Sequence, residues 1–266
     1  MIFVLLFSNC SVVNKGYVPT YYEPIFLNEN CKSKLSLQNS SSYIKAQYAH
    51  AINAKFALAL NETYGFGTVS NTELLGVYYK NKNRFTYEIG VGTGLQDNNI
   101  RYNGTAEYII GNILPGSKYY TERINATYQT GFICGSIFTG DYTKTGKIGL
   151  TYKVGVGYIY NYNYSLYTEP YEGKENYPLP IDQEQLKFKG GWFNMDEIAV
   201  VYKLKMGGGG FRAQLGYTYC SPAVLHNYYF EQQQPQIAIV SGHKNHPTYN
   251  MVTFTIGFNI AIIKKH

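Results

Sequence analysis

The stretch KIGLTYKVGVGYIYNYNY at 147–164 alternates two unlike rows of side chains for longer than most folds can use. One row is Ile148, Leu150, Tyr152, Val154, Val156, Tyr158, Tyr160 and Tyr162. The other is Lys147, Gly149, Thr151, Lys153, Gly155, Gly157, Ile159 and Asn161. Successive side chains of a strand point to opposite faces, so one face is apolar and the other is small, polar and basic. The pattern recurs near the C-terminus, where Val252, Phe254, Ile256, Phe258, Ile260 and Ile262 alternate with Thr253, Thr255, Gly257, Asn259 and Ala261. It recurs again where Phe85, Tyr87, Ile89 and Val91 alternate with Arg84, Glu88, Gly90 and Gly92.

Read along the whole chain, the alternation predicts ten strands. They cover about 32–38, 42–51, 54–63, 73–81, 84–96, 124–140, 147–163, 193–206, 210–221 and 249–262. The 29 Tyr, 14 Phe and 27 Gly among 266 residues agree, since Tyr and Phe favour strands and Gly opposes helix. No apolar run after the N-terminus is long enough for a helical membrane span. The net charge is +6, but the Lys and Arg are scattered singly along strands, which argues against a nucleic-acid footprint.

The connections order these strands. Those at 64–72, 97–123, 164–192 and 222–248 are long; those at 52–53, 82–83, 141–146 and 207–209 are short. Long and short alternate from the second strand onward, and only the link at 39–41 breaks the rule. Short turns at one end and long loops at the other are the signature of a transmembrane, antiparallel, up-and-down β-barrel. An even strand number brings both termini to the short-turn, periplasmic side. The apolar row then faces lipid, the Lys-Gly-Thr row faces a narrow lumen, and Tyr158, Tyr160 and Tyr162 sit at headgroup level. In a soluble barrel the apolar row would be inside instead.

The start, MIFVLLFSNC, is a short apolar run ending in Cys10 before the polar SVVNKG. It has the shape of a lipoprotein signal end. Residues 1–9 are therefore expected to be a signal remnant, 10–31 a tether lipidated at Cys10, and 32–266 the barrel. Cys31, Cys134 and Cys220 have no metal-ligand spacing.

Four features together resemble the Bacteroidota-type outer-membrane β-barrel lipoproteins: the Cys10 signal end, YVPTYYEPIF at 17–26, YEIGVGTG at 87–94 and the terminal MVTFTIGFNI. The resemblance implies an outer-membrane protein with lipid contacts and supplies no catalytic residues.

Lumen-facing candidates are Lys34, Lys45, Lys55, Arg84, Glu88, Lys147, Lys153, Glu197, Lys203, Lys205 and Arg212. Their cationic excess could favour anions in a narrow channel. Alternatively, ion pairs and hydrogen bonds fill the lumen, because barrels of about eight strands are just wide enough for side chains to fill. His226, His243 and His246 share the last long loop, but no HExxH spacing or carboxylate cluster accompanies them. No Ser-His-acid arrangement stands out, and GVGTG and GGGG open no helix. The expectation is therefore a protein that is not an enzyme and needs no metal or other cofactor. It would be an accessory subunit of an outer-membrane complex, with protein partners meeting its Tyr-rich loops. A narrow anion pore is the alternative, and a hydrolase at the rim comes third.

Overall fold

The computed structural model describes residues 20–25, 27, 32–40, 43–65, 69–82, 85–110, 114–140, 146–170, 183–206, 209–220, 224–233 and 249–262. Eleven strands and no helix occur among them: β1 (Ser33–Ser40), β2 (Tyr43–Ala51), β3 (Phe56–Gly65), β4 (Val69–Lys82), β5 (Phe85–Ile110), β6 (Leu114–Thr139), β7 (Lys147–Pro170), β8 (Gln183–Met206), β9 (Gly209–Cys220), β10 (Val224–Gln233) and β11 (Tyr249–Ile262). Ten of them close into an antiparallel ring. Each strand from β1 to β8 pairs with the next, β1 also pairs with β11, β11 with β9, and β9 returns to β8. The ring is the up-and-down barrel expected from the alternation. β10 stands outside it, paired with β8.

The barrel is uneven in height. β1, β2 and β3 have 8, 9 and 10 residues, whereas β5 and β6 have 26 each and β7 and β8 have 24 each. β4 leaves β5 at Val69–Asn98, but β5 and β6 stay in register up to Ile110 and Leu114. The segment 97–123, expected to be a loop, is therefore mostly hairpin. The expected loop 164–192 likewise begins and ends in strand, with Tyr162–Tyr167 paired to Phe188–Gln183. The expected loop 222–248 contains β10, which pairs Val224–Gln233 with Trp192–Gln183. The outer halves of β5 to β8, with β10, form a five-stranded blade standing above the ring. The link between β1 and β2 lies at this same end. It breaks the length alternation only because it is short.

The wall is inside-out relative to a water-soluble protein. Leu58, Leu60, Leu74, Ile89, Val91, Ile133, Ile137, Leu150, Val200 and Leu215 all point outward, 42–63% exposed. Asn61, Glu73, Glu88, Thr151, Lys153, Glu197 and Gln214 point inward and are at most 2% exposed. Interior aromatic rings need gaps in the wall opposite them, and glycines supply these. A Cβ on Gly157 would lie 2.1 Å from the Phe193 ring, so no larger residue fits there.

One expected face is corrected. Tyr162 was grouped with the outward tyrosines, yet it is fully buried, as is Ile159, whereas Tyr160 is exposed. The cause is a bulge. Thr127 pairs with Asn161 but Tyr128 pairs with Ile159, so Tyr160 is an extra residue. One extra residue moves every later side chain to the opposite face. Gly190 sits on the adjoining strand at φ +75, a conformation that disfavours side chains.

Substitution tests the packing. Gly157→Val should destabilise the barrel by about 1–3 kcal/mol through overpacking against Phe193. Gly131→Val, where an added Cβ meets nothing within 4 Å, should be near neutral. Urea unfolding of both variants in lipid vesicles, read by heat-modifiable mobility, makes the comparison.

Candidate functional site

The barrel interior is occupied by the chain's own N-terminal region. Thr20, Tyr21, Tyr22, Glu23, Ile25 and Leu27 are at most 3% exposed and lie inside the ring. They belong to the span 10–31 expected to be a lipidated tether, and in the part that is described the chain runs inside the barrel. The reason lies in the sequence TYYEPI, which is too apolar to remain in water at no cost.

This segment has no β-ladder partner, so its backbone groups must find others. Wall side chains provide them. Lys34 Nζ donates to the Pro24 carbonyl at 2.8 Å, Gln47 Nε2 to the Glu23 carbonyl at 2.9 Å, and Lys45 Nζ to the Tyr21 carbonyl at 2.8 Å. Asn81 Nδ2 donates to the Leu27 carbonyl at 2.8 Å. The Ile25 amide donates to Glu88 at 3.0 Å and the Thr20 amide to Glu197 at 3.2 Å. Pro24 has no amide hydrogen to satisfy. The Tyr21 ring lies over Gly216, where a Cβ would come within 2.5 Å of it.

Two charged knots hold the segment, one at Thr20 and one at Glu23. At the first, Lys153 Nζ donates to Glu73 Oε1 at 2.6 Å and to Thr20 Oγ1 at 2.9 Å, with Glu197 at 3.5 Å and the Phe132 ring centroid at 4.4 Å. Glu73 also accepts from Thr20 Oγ1 at 2.5 Å and from Asn61 Nδ2 at 2.9 Å. At the second, Glu23 accepts from Ser36 Oγ and lies 3.2 Å from Arg212 and 3.8 Å from Lys34. Between the knots, Tyr22 OH donates to Glu88 at 2.7 Å.

Of the residues expected to line the lumen, Lys34, Lys45, Glu88, Lys153, Glu197, Lys203 and Arg212 are enclosed within the barrel. Lys147 is half-buried and donates to Thr86 Oγ1 at 2.5 Å. Lys55 is corrected: it lies exposed in the turn between β2 and β3, where Asn53 Oδ1 accepts from its amide, so it does not face the lumen. The strand expected over 54–63 begins at Phe56, two residues later, which leaves Lys55 outside the alternation. Arg84, Cys10, Cys31, His243, His246 and His266 lie outside the described residues, as do the side chains of Lys205 and His226. His50 is exposed at the turn end, 2.8 Å from Ser33 Oγ. Cys134 and Cys220 are free, buried thiols. Among the described residues, no group of three or more His, Cys, Asp or Glu could hold a metal ion.

Sequence reading missed Thr20, Tyr22, Glu23 and Glu73. Glu73 was hidden because β4, VSNTELLGVYYKNK, mixes polar and apolar residues on both faces. A signal for the segment was present, since two Tyr, one Glu and one Ile crowd around Pro24 upstream of the first strand.

No protein-family model and no curated protein matches the sequence. Solved structures with a related chain path include the outer membrane protease OmpT from Escherichia coli, 10% identical over 88% of this chain and 94% of that one, with TM-score 0.48. The KdgM porin is 9% identical over 86% of this chain and 98% of its own, with TM-score 0.30. The CymD monoaromatic hydrocarbon channel is 6% identical, covering 90% of each chain, with TM-score 0.31. At these values none of the three transfers an activity to this chain.

The first knot makes a quantitative expectation possible. Glu73→Gln takes from Lys153 its nearest carboxylate and leaves Glu197 at 3.5 Å, and Lys153→Met takes from Glu73 its nearest cation and leaves Lys45 at 4.0 Å, so each should cost about 3 kcal/mol, the low end for breaking a buried pair. The double variant should cost less than the two single losses together. Urea midpoints of the four proteins in lipid vesicles check this cycle.

Proposed function

We propose that the protein is an outer-membrane β-barrel lipoprotein, anchored through Cys10, that serves as a non-conducting interaction subunit of a larger membrane complex. The observation that carries this reading is a barrel with an occupied lumen bearing a blade on one wall. An apolar outer face this extensive would aggregate in water but suits hydrocarbon. Aromatic residues flank it at both ends: Phe56, Tyr78 and Tyr87 near the short turns, and Tyr158, Tyr160 and Trp192 at the base of the blade. Ile148 to Tyr158 spans about 33 Å of strand at ~3.3 Å per residue, and a tilt of about 40° reduces this to about 25 Å, the height of a barrel's apolar band.

An occupied lumen supports a protein closed at rest, which favours the interaction role over the pore. The blade supports contact with other proteins. Beyond Asn98, β5 pairs only with β6, and β10 pairs only with β8, so each presents a strand edge among the described residues. Such edges recruit partner strands. In this reading the blade and the connections at its end face outward from the cell, and the short turns face the periplasm.

The protein should fractionate with the outer membrane, resist carbonate extraction and migrate heat-modifiably; recovery as a soluble monomer without detergent would sink the reading. Cys10→Ser should abolish acyl labelling. Tags within 171–182 should be accessible on intact cells and tags within 140–146 should not. A tagged purification with mass spectrometry should return stoichiometric companions. Replacing 104–120 by a tight turn, at a point where Asn103 pairs with Thr121, should spare heat-modifiability but release those companions. Their retention would move the contact off the blade.

A further inference from the structure

We infer that the barrel holds a latent anion pathway and that the segment containing Thr20–Ile25 and Leu27 is its stopper, latched by Glu23. This goes beyond the interaction role, which concerns the closed protein. Three observations lead to it.

First, the ring does not need the segment for closure. All ten strands pair with one another, and the segment contributes no ladder bond. It is held by side-chain hydrogen bonds, each worth about 0.5–1.5 kcal/mol net, or roughly 1.5–3 when charged. Its release would leave the strand pairing intact.

Second, the wall is cationic without it. Among the described residues, the enclosed charged groups of the wall are Lys34, Lys45, Lys153, Lys203 and Arg212 against Glu73, Glu88 and Glu197, an excess of two positive charges that Glu23 lowers to one. The surplus is concentrated near the short turns. Lys147 pairs across the sheet with Lys203, and Lys203 with Arg212, so three cations stand side by side on β7, β8 and β9. Glu23 brings its carboxylate to the end of that row. It is an internal anion in a place that would otherwise attract a dissolved one.

Third, the latch is incompletely made. Arg212 can grip a carboxylate with two parallel hydrogen bonds, yet Arg212 Nε and Glu23 Oε2 are both enclosed without a hydrogen-bond partner among the described residues. A contact with unused donor and acceptor is one that another anion can compete for.

Planar-bilayer recording in potassium chloride tests this, using full-length protein. The wild type should be closed. Glu23→Lys places a cation against Arg212 and Lys34 and should open an anion-selective current. Adding Lys45→Glu to that variant should shift its reversal potential toward cations. A heat-modifiable Glu23→Lys barrel that stays closed, or that conducts without anion preference, would overturn the inference. A second measurement needs no folding of a variant: the wild type is recorded through a urea titration. Current should appear before heat-modifiability is lost, because the segment should leave before the ring opens. Silence up to barrel unfolding would refute the stopper. In either case the interaction reading is judged separately, by whether companions co-purify with the closed protein.

Discussion

An extended segment enclosed in a barrel without a strand partner imposes a requirement that the rest of the interior answers. Each of its carbonyl and amide groups has left water, and an unpaired one would cost about 1–3 kcal/mol. Glu88 and Glu197 accept, while Lys34, Lys45, Gln47 and Asn81 donate, and together they come from β1, β2, β4, β5 and β8. Lys153 ties two of the carboxylates to Thr20. The inner row of polar residues seen in the sequence is therefore not a generic hydrophilic lining. Most of its charged members are shaped around one short piece of the same chain.

The barrel itself was legible because its cause is local. A period of two with apolar residues on one face survives in β5, β7, β8, β9 and β11 whatever the chain does elsewhere, and the expected strands match the ring strand for strand. Features that depend on geometry away from the strand were not legible. Tyr162 and Tyr160 read alike in sequence, and only the extra residue opposite Thr127 and Tyr128 separates their faces. Lys55 carried the right charge but stands in the turn before β3. The blade was hidden for another reason. Residues 97–123 alternate poorly, since no barrel wall constrains both of their faces, and they are strand because β5 and β6 continue pairing past the ring. The segment around Pro24 has no periodicity at all. Its position follows from what surrounds it.

Charge inside this barrel is better understood as specification than as stability. Buried ion pairs are costly to desolvate, and apolar replacements of equal volume are often as stable. Fixing one extended segment in one register is a different task. A greasy lumen would hold TYYEPI in many sliding positions, whereas Thr20 at Lys153 and Glu23 at Arg212 set both its depth and its direction. Gly216 adds a steric mark, because a side chain there would collide with the Tyr21 ring.

The two parts of the molecule follow from how differently strands behave in and out of a closed ring. Within the ring every edge is paired, so the outer face can be uniformly apolar without inviting strand addition. Above Asn98 the ring ends on one side, and β5 to β8 continue, with β10, as an open sheet whose outer strands β5 and β10 have no further ladder partner among the described residues. The bulge at Tyr160 and the left-handed Gly190 fall at this boundary, where Tyr158 packs edge-on against Trp192 at 4.9 Å. The same few residues thus end the apolar band and turn the side chains of β7 over. A single insertion in one strand lets a wall suited to hydrocarbon continue as an open sheet above it.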